Sequence, residues 1–143
     1  MSNLQTEKSM KGEPMAVVQE KITSRTINEI TPFGVKLELN TEGVVTGELY
    51  TAQHMETVNL FQKTDGTFES EARAIETTKE GDVLVISYKG TGRQTGLTTL
   101  WGESEGIIMT QSKKLAQLNN ARLRAEVNAD WATGAVQVKY YEP

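Results

Sequence analysis

The chain is predicted to be an all-β protein, an antiparallel barrel of about eight strands with one short helix over residues 113–119, before the last two strands. Three observations carry that prediction. Apolar and polar residues alternate with a period of two in segment after segment, as strands with one dry and one wet face require. Short turns, most of them containing glycine, separate these segments. Only one stretch has helical spacing, so the helix–strand alternation of a parallel α/β sheet is missing. A meander of this many strands removes its exposed edges by closing into a barrel, although a two-sheet sandwich satisfies the same pattern.

Met1 to Pro14 reads as a loose leader, rich in Ser, Lys, Glu and Gly, followed by a single domain over 15–143. Met15 to Ile30 is β-prone through Val17, Val18, Ile22 and Ile27, and Thr31-Pro32 interrupts it because proline lacks the ladder donor. Phe33, Val35, Leu37 and Leu39 then alternate with Gly34, Lys36, Glu38 and Asn40. Thr41-Glu42-Gly43 is read as a turn into Val44 to Thr51, with Val45, Gly47 and Leu49 on one side. Thr57 to Lys63 is the next strand, which leaves Gln53-His54-Met55-Glu56 as a connection.

Asp65-Gly66 is a strong hairpin signal. After it, Phe68, Ser70, Ala72, Ala74 and Glu76 share one face, while Glu69, Glu71 and Arg73 take the other. Glu80-Gly81-Asp82 turns the chain into Val83-Leu84-Val85-Ile86, apolar on both faces and therefore expected to be covered on both. Gly90 to Gly96 reads as a flexible or bulged connection; no helix follows it, so it is not a phosphate cradle. Leu97 to Gln111 is strand-like, with Gly102 and Gly106 marking a bulge or bend. In Ser112 to Asn120, Leu115 and Leu118 fall on one helical face, with Ser112 placed to cap the start and Asn119-Asn120 to end it. Leu123, Ala125 and Val127 alternate in the next strand, and Val136, Val138 and Tyr140 in the last.

Composition narrows the function classes. Hydrophobic residues make up 37% and charged residues 24% of 143, as in an ordinary folded domain. The net charge of −4 disfavours a broadly basic nucleic-acid surface, so no nucleic-acid partner is expected. Cysteine is absent, which removes disulfides, thiolate catalysis and thiolate metal sites. The amino-terminal residues lack a signal-peptide stretch and no apolar run is long enough to span a bilayer, so a cytoplasmic location without membrane partners is expected.

The run Thr110-Gln111-Ser112-Lys113-Lys114-Leu115-Ala116-Gln117-Leu118-Asn119, followed by Ala125-Glu126-Val127 and a terminal Tyr141-Glu142, resembles a family of small microbial β-barrels. That family is similar in architecture to allene oxide cyclase and more distantly to calycin barrels. The resemblance covers the last two-thirds of the chain. It implies an antiparallel barrel and, as one option, a cyclase or isomerase that works without a cofactor.

The candidate site residues are few. Glu76 closes an inward row and is the candidate catalytic acid, against the plainer reading of a strand-end residue that reaches water. Tyr88, Trp101 and Tyr140 are the candidate ligand-binding aromatics, against a packing role. His54, the sole histidine, sits in a connection with no visible triad or metal partners. Arg73 is expected in a surface ion pair, Lys113 and Lys114 on a solvated face, and Glu126 outward beside Arg122 and Arg124. No metal site and no cofactor are expected.

An eight-stranded barrel is wide enough to be filled by side chains or to hold one small ligand. The small residues Ser70, Ala72 and Ala74 favour a hollow that takes a small apolar molecule, with Leu115 and Leu118 plugging one end. Two other readings stay open. One is the cofactor-independent cyclase or isomerase. The other is a structural, filled barrel that forms a homo-oligomer through apolar exterior residues such as Leu84 and Ile86.

Overall fold

The computed structural model describes residues 12–143. Its strands are β1 (Ala16–Thr31), β2 (Gly34–Gly47), β3 (Thr51–Lys63), β4 (Thr67–Thr78), β5 (Val83–Gln94), β6 (Thr99–Thr110), β7 (Arg122–Asp130) and β8 (Ala135–Tyr141). Each pairs antiparallel with the next, and β8 pairs with β1 over Ala16 to Lys21, closing an up-and-down barrel. The alternative of a sandwich is thereby removed. Residues 1–11 of the expected leader lie outside the described residues, and 12–14 carry no regular structure. No helix among the described residues is long and apolar enough to cross a membrane.

The inward rows follow the period-two reading. Phe68, Ala72, Ala74 and Glu76 of β4 are buried, as are Leu123 and Ala125 of β7 and Val138 and Tyr140 of β8. Around one end, Val18, Val45, Leu84, Ile86 and Ile108 pack with Leu115 and Leu118. Toward the other end, Leu39, Leu60, Phe68 and Leu100 form a second cluster.

Several local readings change. Thr41 to Gly43 is no turn, because β2 runs unbroken to Gly47. Gly43 serves close approach instead: a Cβ there would lie 2.7 Å from the Glu20 Cα. The chain reverses after Gly47, where the Gly47 N–H donates to the Tyr50 carbonyl at 2.9 Å and leaves Leu49 exposed. Phe33, expected on the dry face, sits in the β1–β2 turn and is 74% exposed.

β5 and β6 hold register one residue to one throughout, so Gly90, Gly92, Gly102 and Gly106 sit in continuous strands and mark no connection or bulge. Gly92 and Gly102 leave room for the Phe68 ring, which a Cβ on Gly102 would approach to 2.9 Å. The bulges occur in β1, where the register slips between Ile22 and Ser24 and again between Ile27 and Glu29. Beyond Lys21, β1 leaves β8 and continues with β2 alone as an arm. The arm is fastened by Arg25, which donates to the Trp131 carbonyl at 2.7 Å and stacks on the Trp131 ring.

Leu84 and Ile86 point into the core and not toward a partner. Val83 and Val85 face outward, so β5 is covered on one face only. The register places Val85 opposite Ile75 and Met109, and Ile75 opposite Met55.

The predicted helix contracts to one 3₁₀ turn, Ala116–Leu118. A segment this short cannot repay helix nucleation, and local side-chain bonds direct the backbone instead. Ser112 Oγ accepts from the Leu115 N–H at 3.1 Å and donates to Asp82 at 2.7 Å, while Asn119 Oδ1 accepts from the Thr110 N–H at 3.0 Å. Asn120 then takes a left-handed φ of 65°. Leu115 and Leu118 are still delivered, buried, to the end of the barrel.

Candidate functional site

The inner wall carries a polar cluster at mid-barrel. Its centre is His54 on β3, 2% exposed and not in a connection, because β3 begins at Thr51 and therefore includes the residues read as a loop. Register explains who meets it. Glu76 of β4 is its direct cross-strand partner. On the other side the partner is Gly43, whose own partner is Glu20 of β1. Having no side chain, Gly43 lets Glu20 and His54 meet although they stand two strands apart. Ala72 and Ala74 on β4 do the same for Tyr88 of β5, which reaches Glu56 of β3 past those short side chains.

The imidazole is bonded on both nitrogens. Nδ1 lies 2.6 Å from Glu76 Oε2, and Nε2 lies 2.7 Å from Glu56 Oε1 and 3.3 Å from Glu20 Oε1. Four hydroxyls hold the carboxyls from behind. Tyr50 and Tyr140 donate to the two oxygens of Glu76 at 2.5 and 2.9 Å. Tyr88 donates to Glu56 Oε1 and Thr41 to Glu20 Oε1, each at 2.5 Å. Glu20 Oε2 is buried and has no hydrogen-bond partner.

Crowding three carboxyls around one imidazole shifts proton affinities. Burial, with the Glu56 charge adding to it, outweighs His54 and Thr41 and pushes Glu20 up to about 8, so it is a neutral acid at pH 7. For His54, burial pulls downward, but its bonds to Glu56 and Glu76 and the nearby carboxylate charge raise it to about 10. The ring is therefore an imidazolium that donates from both nitrogens. Burial and the adjacent carboxylates also raise Tyr50, Tyr88 and Tyr140, which stay protonated donors.

Above the cluster lies a chamber of about 70 Å³. Glu20, Glu56 and Tyr88 border it, and apolar side chains including Val58, Leu60, Phe68, Ala72, Leu100 and Val138 wall it. Trp131, held by Arg25, also lines it. A larger depression, about 1080 Å³, is an open groove lined by residues such as Lys63, Glu69 and Lys89 and holds none of the cluster. Lys63 and Lys89 pair there with Glu69 and Glu71 at 2.5 and 3.1 Å.

Glu20, His54 and Glu56 are the group among the described residues whose ligand atoms lie within 4.8 Å of one another. Neighbouring ligands held at about 2.1 Å from one ion in a right-angled arrangement stand about 3.0 Å apart. The 2.7 Å between His54 Nε2 and Glu56 Oε1 is shorter and fits a shared proton better than a shared metal ion.

The sequence-predicted residues divide clearly. Glu76 is fully buried at 0% exposure and does not reach water; Tyr88 and Tyr140 join it in the cluster. Trp101 does not: its neighbours Leu100 and Gly102 are buried inside, while it lies on the outer wall beneath Arg93, with 4.6 Å to the ring centroid. Glu20, Thr41, Tyr50 and Glu56 were not picked out as site residues from the sequence, and His54 was weighed and set aside as a residue of a connection. The available signal was parity: Glu20 lies two residues from both Val18 and Ile22, and Glu56 two from Val58.

Fold and site together define a small closed antiparallel β-barrel with an internal acid–imidazole–phenol cluster beside an apolar chamber. No family model and no curated protein matches the chain. Solved structures do share its fold. A conserved protein of unknown function from Rhodopseudomonas palustris has a TM-score of 0.76 at 13% identity, covering 90% of this chain and 94% of that one. A protein of unknown function from Clostridium acetobutylicum has a TM-score of 0.78 at 14% identity, covering 90% and 93%. An enzyme from Penicillium herquei has a TM-score of 0.61 at 15% identity, covering 92% and 96%.

Proposed function

We propose that the barrel binds a small, mostly apolar molecule in its interior chamber and holds the molecule's one polar group against the floor of Glu20, Glu56 and Tyr88. The observation that carries this reading is the chamber itself, an interior hollow bordered by the polar residues Glu20, Glu56 and Tyr88 and otherwise walled mostly by apolar side chains. The apolar walls favour a compact hydrocarbon body, and the volume is well below the roughly 300–1,000 Å³ of a drug-sized site.

Saturation-transfer NMR with acetone and ethanol tests the reading. Both are expected to receive magnetisation from the protein, and Ala72→Leu, which fills the chamber, is expected to abolish the transfer while the protein stays folded. Absence of transfer to either probe from the wild-type protein would refute it.

A second reading is favoured by the proton placement at the floor. A neutral carboxylic acid beside an imidazolium and a second carboxyl is the equipment of a cofactor-independent cyclase or isomerase, which needs a positioned acid and a held substrate. That the Penicillium herquei barrel is described as an enzyme supports it.

A further inference from the structure

The outer wall changes character from one cross-strand row to another. Asn59, Glu71, Lys89, Glu105 and Arg124 share one outward row, charged at every strand but β3. Four residues along the same strands, the outward row is Met55, Ile75, Val85 and Met109, apolar throughout and 38–55% exposed. Val44 and Val83, also exposed, extend it into the row beyond. Strand propensity accounts for a single exposed Val or Ile. It does not account for a row that is apolar across four strands where the fold accepts charges a short way along each of them.

A depression of about 500 Å³ runs over this row. Two charges border it: Glu42 on β2, beside Met55, and Arg73 on β4, two residues before Ile75. Both are exposed, and neither forms an ion pair or a side-chain hydrogen bond among the described residues. The surface ion pair expected of Arg73 is therefore not made within the chain.

We propose that this face pairs with the same face of a second copy of the chain, forming a reversible homodimer. In an isologous contact the same patch serves both copies, and every pairing of unlike residues occurs twice. A two-fold axis lying in the wall between Met55 and Ile75 sets each Glu42 against the partner's Arg73 and brings Met55 near the partner's Ile75. The unpaired anion and cation then satisfy each other around a centre depleted of charge, the composition of interface cores. A different protein would have to supply a matching cation and anion of its own, whereas a second copy already carries both. Five strands at about 4.8 Å and three outward rows about 6.8 Å apart span roughly 500 Å² of wall per copy, or about 1,000 Å² for two. Specific interfaces begin near that size, so the dimer exchanges with monomer. The apolar exterior expected at Leu84 and Ile86 is thus supplied one position away, by Val83 and Val85.

Sedimentation velocity of the full chain from about 1 to 500 μM tests the proposal. We expect monomer at the lowest concentration and conversion to dimer as concentration rises. Ile75→Lys, which sets a charge in the middle of the face, should leave the chain monomeric throughout while circular dichroism shows it folded. Glu42→Arg and Arg73→Glu should each weaken the dimer at least about tenfold, and the double variant Glu42→Arg/Arg73→Glu should recover most of that loss. Within one chain the two residues lie two strands and one row apart, about 12 Å, so the recovery reads a contact between copies. If Ile75→Lys does not fold, the charge-exchange series carries the test, because both of its positions are exposed. A chain that stays monomeric to the highest concentration overturns the proposal. So does a dimer indifferent to Ile75→Lys, or a double variant as weak as the single ones.

Discussion

Stability should fall as pH rises from about 5 to 9, the opposite of what a protein held by surface carboxylates shows. Glu20 is displaced upward in the folded state, from 4.5 to about 8. The folded chain therefore keeps a proton that the unfolded chain has already released, and its stability is complete below pH 4.5 and declines through pH 8. At 1.36 kcal/mol for each pH unit, that interval amounts to about 5 kcal/mol at most. His54 has the same sign, with its stabilisation complete below 6.5 and lost as pH rises to about 10. Because the two groups share one hydrogen-bond network, their effects are not summed; Glu20 alone carries the slope from pH 5 to 6.5.

Against a typical total of about 5–15 kcal/mol, the expected slope of about 1.4 kcal/mol per pH unit is large. Urea unfolding at half-unit steps from pH 5 to 9, with the m-value held as a check, measures it directly. Glu20→Gln should flatten the curve between pH 5 and 6.5 and leave the His54 limb above it. A wild-type midpoint that is constant or rises across this window would refute the assignment of the proton to Glu20 and, with it, the account of the cluster's charge.

Two further outcomes follow from the packing. Leu118→Ala removes a buried side chain from the plugged end and is expected to cost about 2–5 kcal/mol by urea denaturation, with little effect on binding in the chamber. Gly43→Ala sets a Cβ against the backbone of β1 and should cost upward of about 1–3 kcal/mol. It should also part Glu20 from His54, so that the pH slope below 6.5 shrinks even in folded protein.

The barrel was legible because its outer and inner faces differ in polarity at most positions. Phe68 to Ala74, Leu123 to Val127 and Val136 to Tyr140 carry that alternation without a break, and their inward faces were read correctly. The cluster was largely illegible for the same reason. His54 and Glu56 are polar residues at inward positions, so the pattern around them reads as a loop although the backbone stays extended. Thr41 and Gly43 imitate a turn, yet glycine is required there because β1 comes too close for a side chain. Glu76 was found only because it closes a row whose other members are small or apolar. Trp101 was suggested by residue type, not parity, and it lies on the outer wall, apart from the cluster. The contacts Glu20–His54 and Tyr88–Glu56 cross intervening strands, and no local pattern encodes them.

The illegible positions are also the ones that the fold has least reason to keep. Replacing a buried ionic network by well-packed apolar side chains is often neutral or stabilising, whereas removing one member leaves a charge uncompensated. A barrel selected for stability alone would place aliphatic residues at Glu20, His54, Glu56 and Glu76, continuing the rows already set by Val18, Ala52, Val58 and Ala74. This chain instead holds three carboxyls, an imidazole and three phenols inside the wall, and it sets Glu20, Glu56 and Tyr88 at the border of a chamber. Sites where local rules break without a gain in stability are where function is expected. The chamber border formed by Glu20, Glu56 and Tyr88 gives that expectation a location.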